Sequence, residues 1–127
     1  MLTREILPHH VDCIVVLKQE VLQQHPQAVQ EWVASLIKAG AWIEQDKNIN
    51  QARDVARLTS KRYLPYSEEV IASGLQNPVE RISFDELEPI PLDFQKILEI
   101  SVRAGILMPM SLDGFIEPAP YQQAIGA

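Results

Sequence analysis

The chain is nearly without cysteine: a single thiol, Cys13, among 127 residues excludes an internal disulfide and leaves the redox compartment open. A basic face is lacking too. The 11 Lys and Arg are scattered among 17 Asp and Glu, for a net charge of −6. Contacting phosphates requires concentrated positive charge, so nucleic acid is not expected as a partner. No apolar run approaches the ~20 residues that cross a bilayer, and no transmembrane segment is expected. The opening Met1-Leu2-Thr3-Arg4-Glu5-Ile6-Leu7-Pro8 does not follow the charged-then-apolar order of a secretory signal. As written the chain is expected in the cytoplasm, or in the periplasm if it is a fragment of an exported protein. The five glycines are dispersed and build no phosphate-cradling loop. No internal repeat is visible.

Hydrophobic residues make up 46% and charged residues 22%, which fits one globular domain over 1–127. Cys13-Ile14-Val15-Val16-Leu17 reads as a strand buried on both faces. Such a strand needs ladder partners for its N–H and C=O groups, and no other segment of the chain offers a convincing one. Burial of Cys13 as an inert thiol follows from the same reading. Downstream, Val29, Trp32, Val33, Leu36, Ile37, Gly40 and Ile43 recur at helical spacing and predict a helix over about 26–45. Pro26 suits its first turn, and Asp46-Lys47-Asn48 is expected to end it. Gly40 inside that helix costs about 1 kcal/mol relative to alanine; a close backbone contact there would explain it.

A second helix is expected over about 49–63, capped by Asn48, and a third over 67–74, with Ser67 as its cap and Glu68-Glu69 at the positive end of its dipole. Gly74 would close it. Residues 76–91 read as connective, with room for a short extended piece at Arg81-Ile82-Ser83-Phe84. The last helix is predicted over 92–104, with Gly105 as its C-terminal cap. Pro118-Ala119-Pro120 and the other turn residues of 106–127 are expected to prevent further helix. Leu112, Phe115, Ile116 and Tyr121 are apolar enough to pack that tail against the body.

Candidate chemistry is sparse. His9 and His10 stand before the expected strand, where a loop could present imidazoles to a cleft. With Asp12 and His25 they match no established metal-ligand spacing, and adjacent histidines on an extended segment point to opposite faces. No metal is expected. No serine sits in a Gly-x-Ser-x-Gly elbow, and Cys13 has only His9 and His10 near it as bases. Lys61-Arg62 could receive an anion, although a solvated helix end explains the same charges. Trp32 and Trp42 read as packing residues before ligand-stacking ones. No cofactor and no catalytic residue is expected.

Taken in order, several stretches resemble solute-binding proteins of the nitrate/sulfonate/taurine/bicarbonate class of ABC transporters. Leu7-Pro8-His9-His10-Val11-Asp12-Cys13-Ile14-Val15-Val16-Leu17-Lys18-Gln19-Glu20 is similar to that family's His-Pro-Cys-Cys-like entry into an apolar strand. His25-Pro26-Gln27-Ala28-Val29 resembles its Asn-Pro-Glu-Ala-Val helix start, and Ala39-Gly40-Ala41-Trp42-Ile43-Glu44 its Ala-Gly-Arg-Trp-Ile-Glu. Phe84-Asp85-Glu86-Leu87 through Ala104-Gly105-Ile106-Leu107 resembles its closing helix.

The resemblance implies a mostly helical α/β fold: the C-terminal part of a type II periplasmic-binding fold, with one main strand and about four helices. Roughly a third to a half of a two-lobed protein would be present. It implies His10, and beside it His9, as ligand-facing residues, with Val11 and Asp12 departing from the family's Pro-Cys. The function implied is non-enzymatic: a solute-binding-like or regulatory domain of an ABC uptake system for small anions such as nitrate, bicarbonate or a sulfonate. Its partners would be a transporter component, a small anion or a second copy, as in a homodimer. The alternative is a protein-protein interaction scaffold that has lost its ligand. A third reading follows relatives linked to thiamine-pyrimidine synthesis, with His9, His10 and Cys13 as the residues to test.

Overall fold

The computed structural model describes residues 11 and 13–126. Among them the architecture is helical: α1 (Gln19–Gln24), α2 (Pro26–Asn50), α3 (Arg53–Thr59), α4 (Glu68–Gln76), a 3₁₀ turn at Val79–Arg81, α5 (Pro91–Arg103) and α6 (Ala119–Ile125). No strand occurs among the described residues; one isolated bridge joins Ser60 to Leu64. The expected α/β fold with a main strand at 13–17 is therefore corrected. Those residues are irregular and their side chains exposed, Val16 at 76%. A β-branched run becomes a buried strand only when a neighbour supplies its ladder, and among the described residues none does. Cys13 is exposed for the same reason.

The described residues fall into two compact units, one holding those up to Ala34 and from Glu88 onward, the other holding Ser35–Leu87. In the second unit, α3 packs on α4, and α4 on the 3₁₀ turn. Its buried apolar residues are Ala52, Val55 and Ala56. Helix α2 does not stop at Asp46-Lys47-Asn48 but runs to Asn50, because the Asp46 and Lys47 side chains find internal partners. The break comes at Gln51 and Ala52, both in the left-handed region (φ 55 and 59). There the Ala52 N–H donates to the Asp46 carbonyl at 3.0 Å. The Asp46 carboxylate accepts from the Val55 N–H at 2.9 Å and from Asn50 Nδ2 at 3.2 Å. A buried aspartate six residues before Ala52 thus does what an N-cap side chain does for a helix. The expected cap, Asn48, has no part in it, and the second helix is confined to Arg53–Thr59.

The following helix starts on Ser67, whose Oγ accepts from the Val70 N–H at 3.3 Å. It continues through Gly74 to Gln76, so Gly74 does not close it. Beyond the 3₁₀ turn, Ile82 is extended (φ −131, ψ 128).

In the first unit, Val29 on α2 and Leu98 on α5 are buried. Helix α5 ends in a Schellman arrangement: Gly105 is left-handed (φ 71), its N–H donates to Val102 O at 3.0 Å, and the Ile106 N–H donates to Ser101 O at 2.9 Å. The tail departs from expectation at Pro118-Ala119-Pro120, which opens α6 instead of preventing it. A proline in the first turn has no intrahelical acceptor to lose. Gln30 Nε2 holds this helix by donating to Gln123 O at 3.3 Å. Of the tail residues expected to pack, Leu112, Ile116 and Tyr121 are half-buried, whereas Phe115 is exposed. Both tryptophans, expected as packing residues, carry large exposed surfaces.

Candidate functional site

Two constructions in the Ser35–Leu87 unit combine charge with fixed geometry. The first is a clamp between the end of α2 and the segment after α4. Lys47, whose side chain is 2% exposed, donates from Nζ to Glu44 Oε1 at 2.7 Å and to the Ile82 carbonyl at 2.7 Å. The ammonium also lies 5.6 Å from the centre of the Phe84 ring, within cation–π range. Glu44 Oε1 accepts a second bond from the Phe84 N–H at 2.9 Å, and the Lys47 carbonyl accepts from Gln76 Nε2 at 2.8 Å. One helical turn earlier, Gly40 faces the same segment. A Cβ placed on it would lie 2.0 Å from the Phe84 carbonyl oxygen. The glycine is there because backbone fills the space a side chain would take. Every group in this clamp is used internally, so it positions the unit and leaves no charge for a ligand.

The second construction is a hollow of about 440 Å³ lined by Trp42, Asp54, Arg57, Leu58, Ser60 and Arg62. Helix α3 supplies Asp54, Arg57 and Leu58, and a tight turn after it supplies Ser60 and Arg62. That turn is well braced. The Lys61 N–H donates to Leu64 O at 2.9 Å and the Tyr63 N–H to Thr59 O at 3.0 Å. The Ser60 hydroxyl is buried and donates to Tyr66 O at 3.1 Å. Arg62 lies over the Tyr63 ring, 5.2 Å from its centre, which limits the guanidinium's freedom. Arg57 Nη2 donates to Asp54 Oδ1 at 2.9 Å, both side chains being largely solvated. An exposed i,i+3 pair contributes only ~0.2–0.5 kcal/mol, so Arg57 can turn to another acceptor at small cost.

The rim of the hollow thus sets two guanidinium groups against one carboxylate, on a chain whose net charge is −6. Guanidinium forks suit planar or tetrahedral oxyanions, which accept paired hydrogen bonds. The indole of Trp42 and the side chain of Leu58 give the hollow an apolar part, as small-molecule sites commonly have.

Residues 1–59 match the NMT1-like family. That family belongs to the nitrate/sulfonate/taurine solute-binding class and is generally non-enzymatic. Trp42, Asp54, Arg57 and Leu58 lie within the stretch matched to the NMT1-like family, and Ser60 and Arg62 follow directly after it. No curated protein and no solved structure matches the chain.

The residues singled out from sequence fare unevenly. His9 and His10, the expected ligand-facing pair, lie outside the described residues, as does Asp12. His25 is exposed at the end of α1, its N–H donating to Val21 O at 2.9 Å. No group of three metal-ligating side chains forms among the described residues, and no helix among them is long and apolar enough to cross a membrane. Of the cations considered, Arg62 reaches the hollow. Arg57 was missed, although its place five residues ahead of Arg62 in the sequence was a usable signal. The approach of Trp42 to both was not, because it depends on the left-handed break at Gln51-Ala52.

Proposed function

We propose that this chain serves as a solute-binding-like or regulatory, non-enzymatic component of an ABC uptake system for a small anion such as nitrate, bicarbonate or a sulfonate. The Trp42–Arg57–Arg62 hollow is where the anion docks. The observation that carries this reading is the pairing of two guanidinium groups on one braced rim, beside and partly within the stretch that matches the NMT1-like family. Arg57 would exchange its solvated contact with Asp54 for the ligand, while Arg62, stacked on Tyr63, is already held. The resemblance adds His10, with His9, as further ligand-facing residues.

Calorimetric titration with nitrate, bicarbonate, sulfate and taurine tests the reading. Saturable heat is expected with at least one of the four. Arg62→Ala and Arg57→Ala should each weaken it by roughly tenfold or more, the effect of losing a charge-assisted hydrogen bond of about 1.5–3 kcal/mol. Absence of heat from all four would overturn it, as would binding indifferent to both arginines. Alanine at His10 in the same titration tests the residue the resemblance adds.

A second reading, an interaction scaffold without a solute, is favoured by one observation: many large apolar side chains are exposed, including Val16, Ile106 and Met108. Patches of that kind mark surfaces that partners cover. Under it, partner binding survives the arginine substitutions and none of the four anions binds.

A further inference from the structure

We infer that the ligand of the Trp42–Arg57–Arg62 hollow is an aromatic carboxylate with a hydroxyl or amino group on its ring, and not a bare inorganic anion. The inference rests on the proposed docking of an oxyanion at Arg57 and Arg62, and it names the body that the anion carries. Size points this way first. The hollow measures about 440 Å³, within the range of sites that hold organic ligands. Nitrate and bicarbonate each have four heavy atoms, and a water molecule takes roughly 30 Å³ of the liquid, so a bare anion would leave most of the space to water.

Shielding points the same way. The Arg57 side chain is 73% exposed and that of its partner Asp54 47%. A contact between solvated charges changes affinity by about fivefold at most. A tenfold loss per arginine requires bonds shut off from water, where charges interact more strongly. The rim leaves them open: Trp42 and Leu58 line the hollow yet remain 40% and 50% exposed. A flat apolar body lying against the indole and the Leu58 side chain would cover both and exclude water from the guanidinium bonds. An aromatic ring gains from contact with an indole beyond the area it buries, and a planar carboxylate accepts paired hydrogen bonds from a guanidinium.

The other two polar groups of the lining select the ring substituent. An ionised carboxylate only accepts hydrogen bonds, and Asp54 gives up a donor when Arg57 turns to the ligand. The Ser60 hydroxyl donates its proton to Tyr66 O at 3.1 Å, so its oxygen is left to accept as well. The lining thus offers donors for a carboxylate, from Arg57 and Arg62, and acceptors for a donor elsewhere on the ligand, from Asp54 and Ser60. A hydroxyl or amino group on the ring supplies that donor.

Calorimetric titration of the unaltered chain with nitrate, acetate, benzoate and 4-hydroxybenzoate tests the inference, because the series varies the body on the anion and needs no variant to fold. Benzoate should bind about tenfold or more tighter than nitrate or acetate, and 4-hydroxybenzoate tighter again. Cyclohexanecarboxylate, similar in size but not flat, should fall below benzoate. Trp42→Ala should weaken benzoate by about tenfold and leave acetate within about twofold. Trp42→Phe, which keeps a flat ring, should recover most of that loss. Asp54→Ala should remove most of the preference for the ring hydroxyl without weakening benzoate, since Arg57 then has no competing partner. Nitrate or acetate binding as tightly as the aromatic acids would overturn the inference and leave the anion site standing, as would aromatic binding indifferent to Trp42. Silence from the whole series would overturn both, and so would aromatic binding untouched by Arg57→Ala and Arg62→Ala.

Discussion

Replacing Gly40 by alanine sets two opposed effects against each other. In an unobstructed helix the change stabilises by about 1 kcal/mol, because glycine loses more backbone entropy on folding. At Gly40 the new Cβ would meet the Phe84 carbonyl oxygen at 2.0 Å, where contacts below 3.0 Å are essentially never seen. The Phe84 segment must therefore retreat by roughly 1 Å, and bonds made at that distance do not survive such a shift. Two contacts are at risk: the Phe84 N–H bond to Glu44 Oε1, and the Lys47 ammonium over the Phe84 ring. A hydrogen bond to a charged group contributes about 1.5–3 kcal/mol and the cation–π contact ~0.5–1 kcal/mol. Subtracting the helix gain leaves Gly40→Ala destabilised by about 1–3 kcal/mol. Gly74→Ala is the internal control. It is also helical, but nothing lies within 4 Å of its added Cβ, so it should gain up to ~1 kcal/mol. Urea unfolding followed by far-ultraviolet circular dichroism would read both as midpoint shifts of opposite sign. Equal stabilisation by the two alanines would refute the close approach of Phe84 to α2.

The remaining expectations concern the buried charges. Lys47→Met should cost about 3 kcal/mol in urea unfolding, since breaking one side of a buried pair strands the other; the Lys47→Met, Glu44→Gln double variant should lose less than the sum of its singles, and strict additivity would count against the clamp. Asp46→Ala removes the acceptor for Val55 N–H and should cost about 1–2 kcal/mol, whereas Asp46→Asn, which keeps an acceptor oxygen, should lose less than half of that. Identical losses for the two would mean that the carboxylate does not cap α3.

What could be read from the sequence was local. Ser67, Pro26 and Gly105 act within a turn of themselves, and each sits where its chemistry suggests: a hydroxyl on the Val70 N–H, a proline opening α2, a left-handed residue closing α5. Gly40 was half legible, since its cost in a helix implied a close neighbour, while only the structure names Phe84. Asp46 and Lys47 looked like a polar stop signal because their partners, Val55 and Ile82, stand nine and 35 residues away. The apolar run 13–17 misled for the same reason in reverse: composition marks it as strand, but pairing belongs to whatever lies beside it. Of the hollow, Arg62 was visible as a cation near an aromatic, whereas Arg57 and Trp42 needed the bend between α2 and α3.

Asp46 meets the start of α3 with two different oxygens, its carbonyl taking the Ala52 N–H and its carboxylate the Val55 N–H. These bonds span six and nine residues, so they act as two gauges of chain length on the same stretch. A residue inserted or deleted between Asp46 and Ala52 would put both out of measure at once and rotate the face of α3 that carries Arg57 by about 100°. The junction therefore tolerates exchanges of side chain at the exposed Asn48, Ile49 and Gln51 but not a change in their number. Among sequences that share this bend, the spacing from the aspartate to the helix should vary less than the residues that fill it.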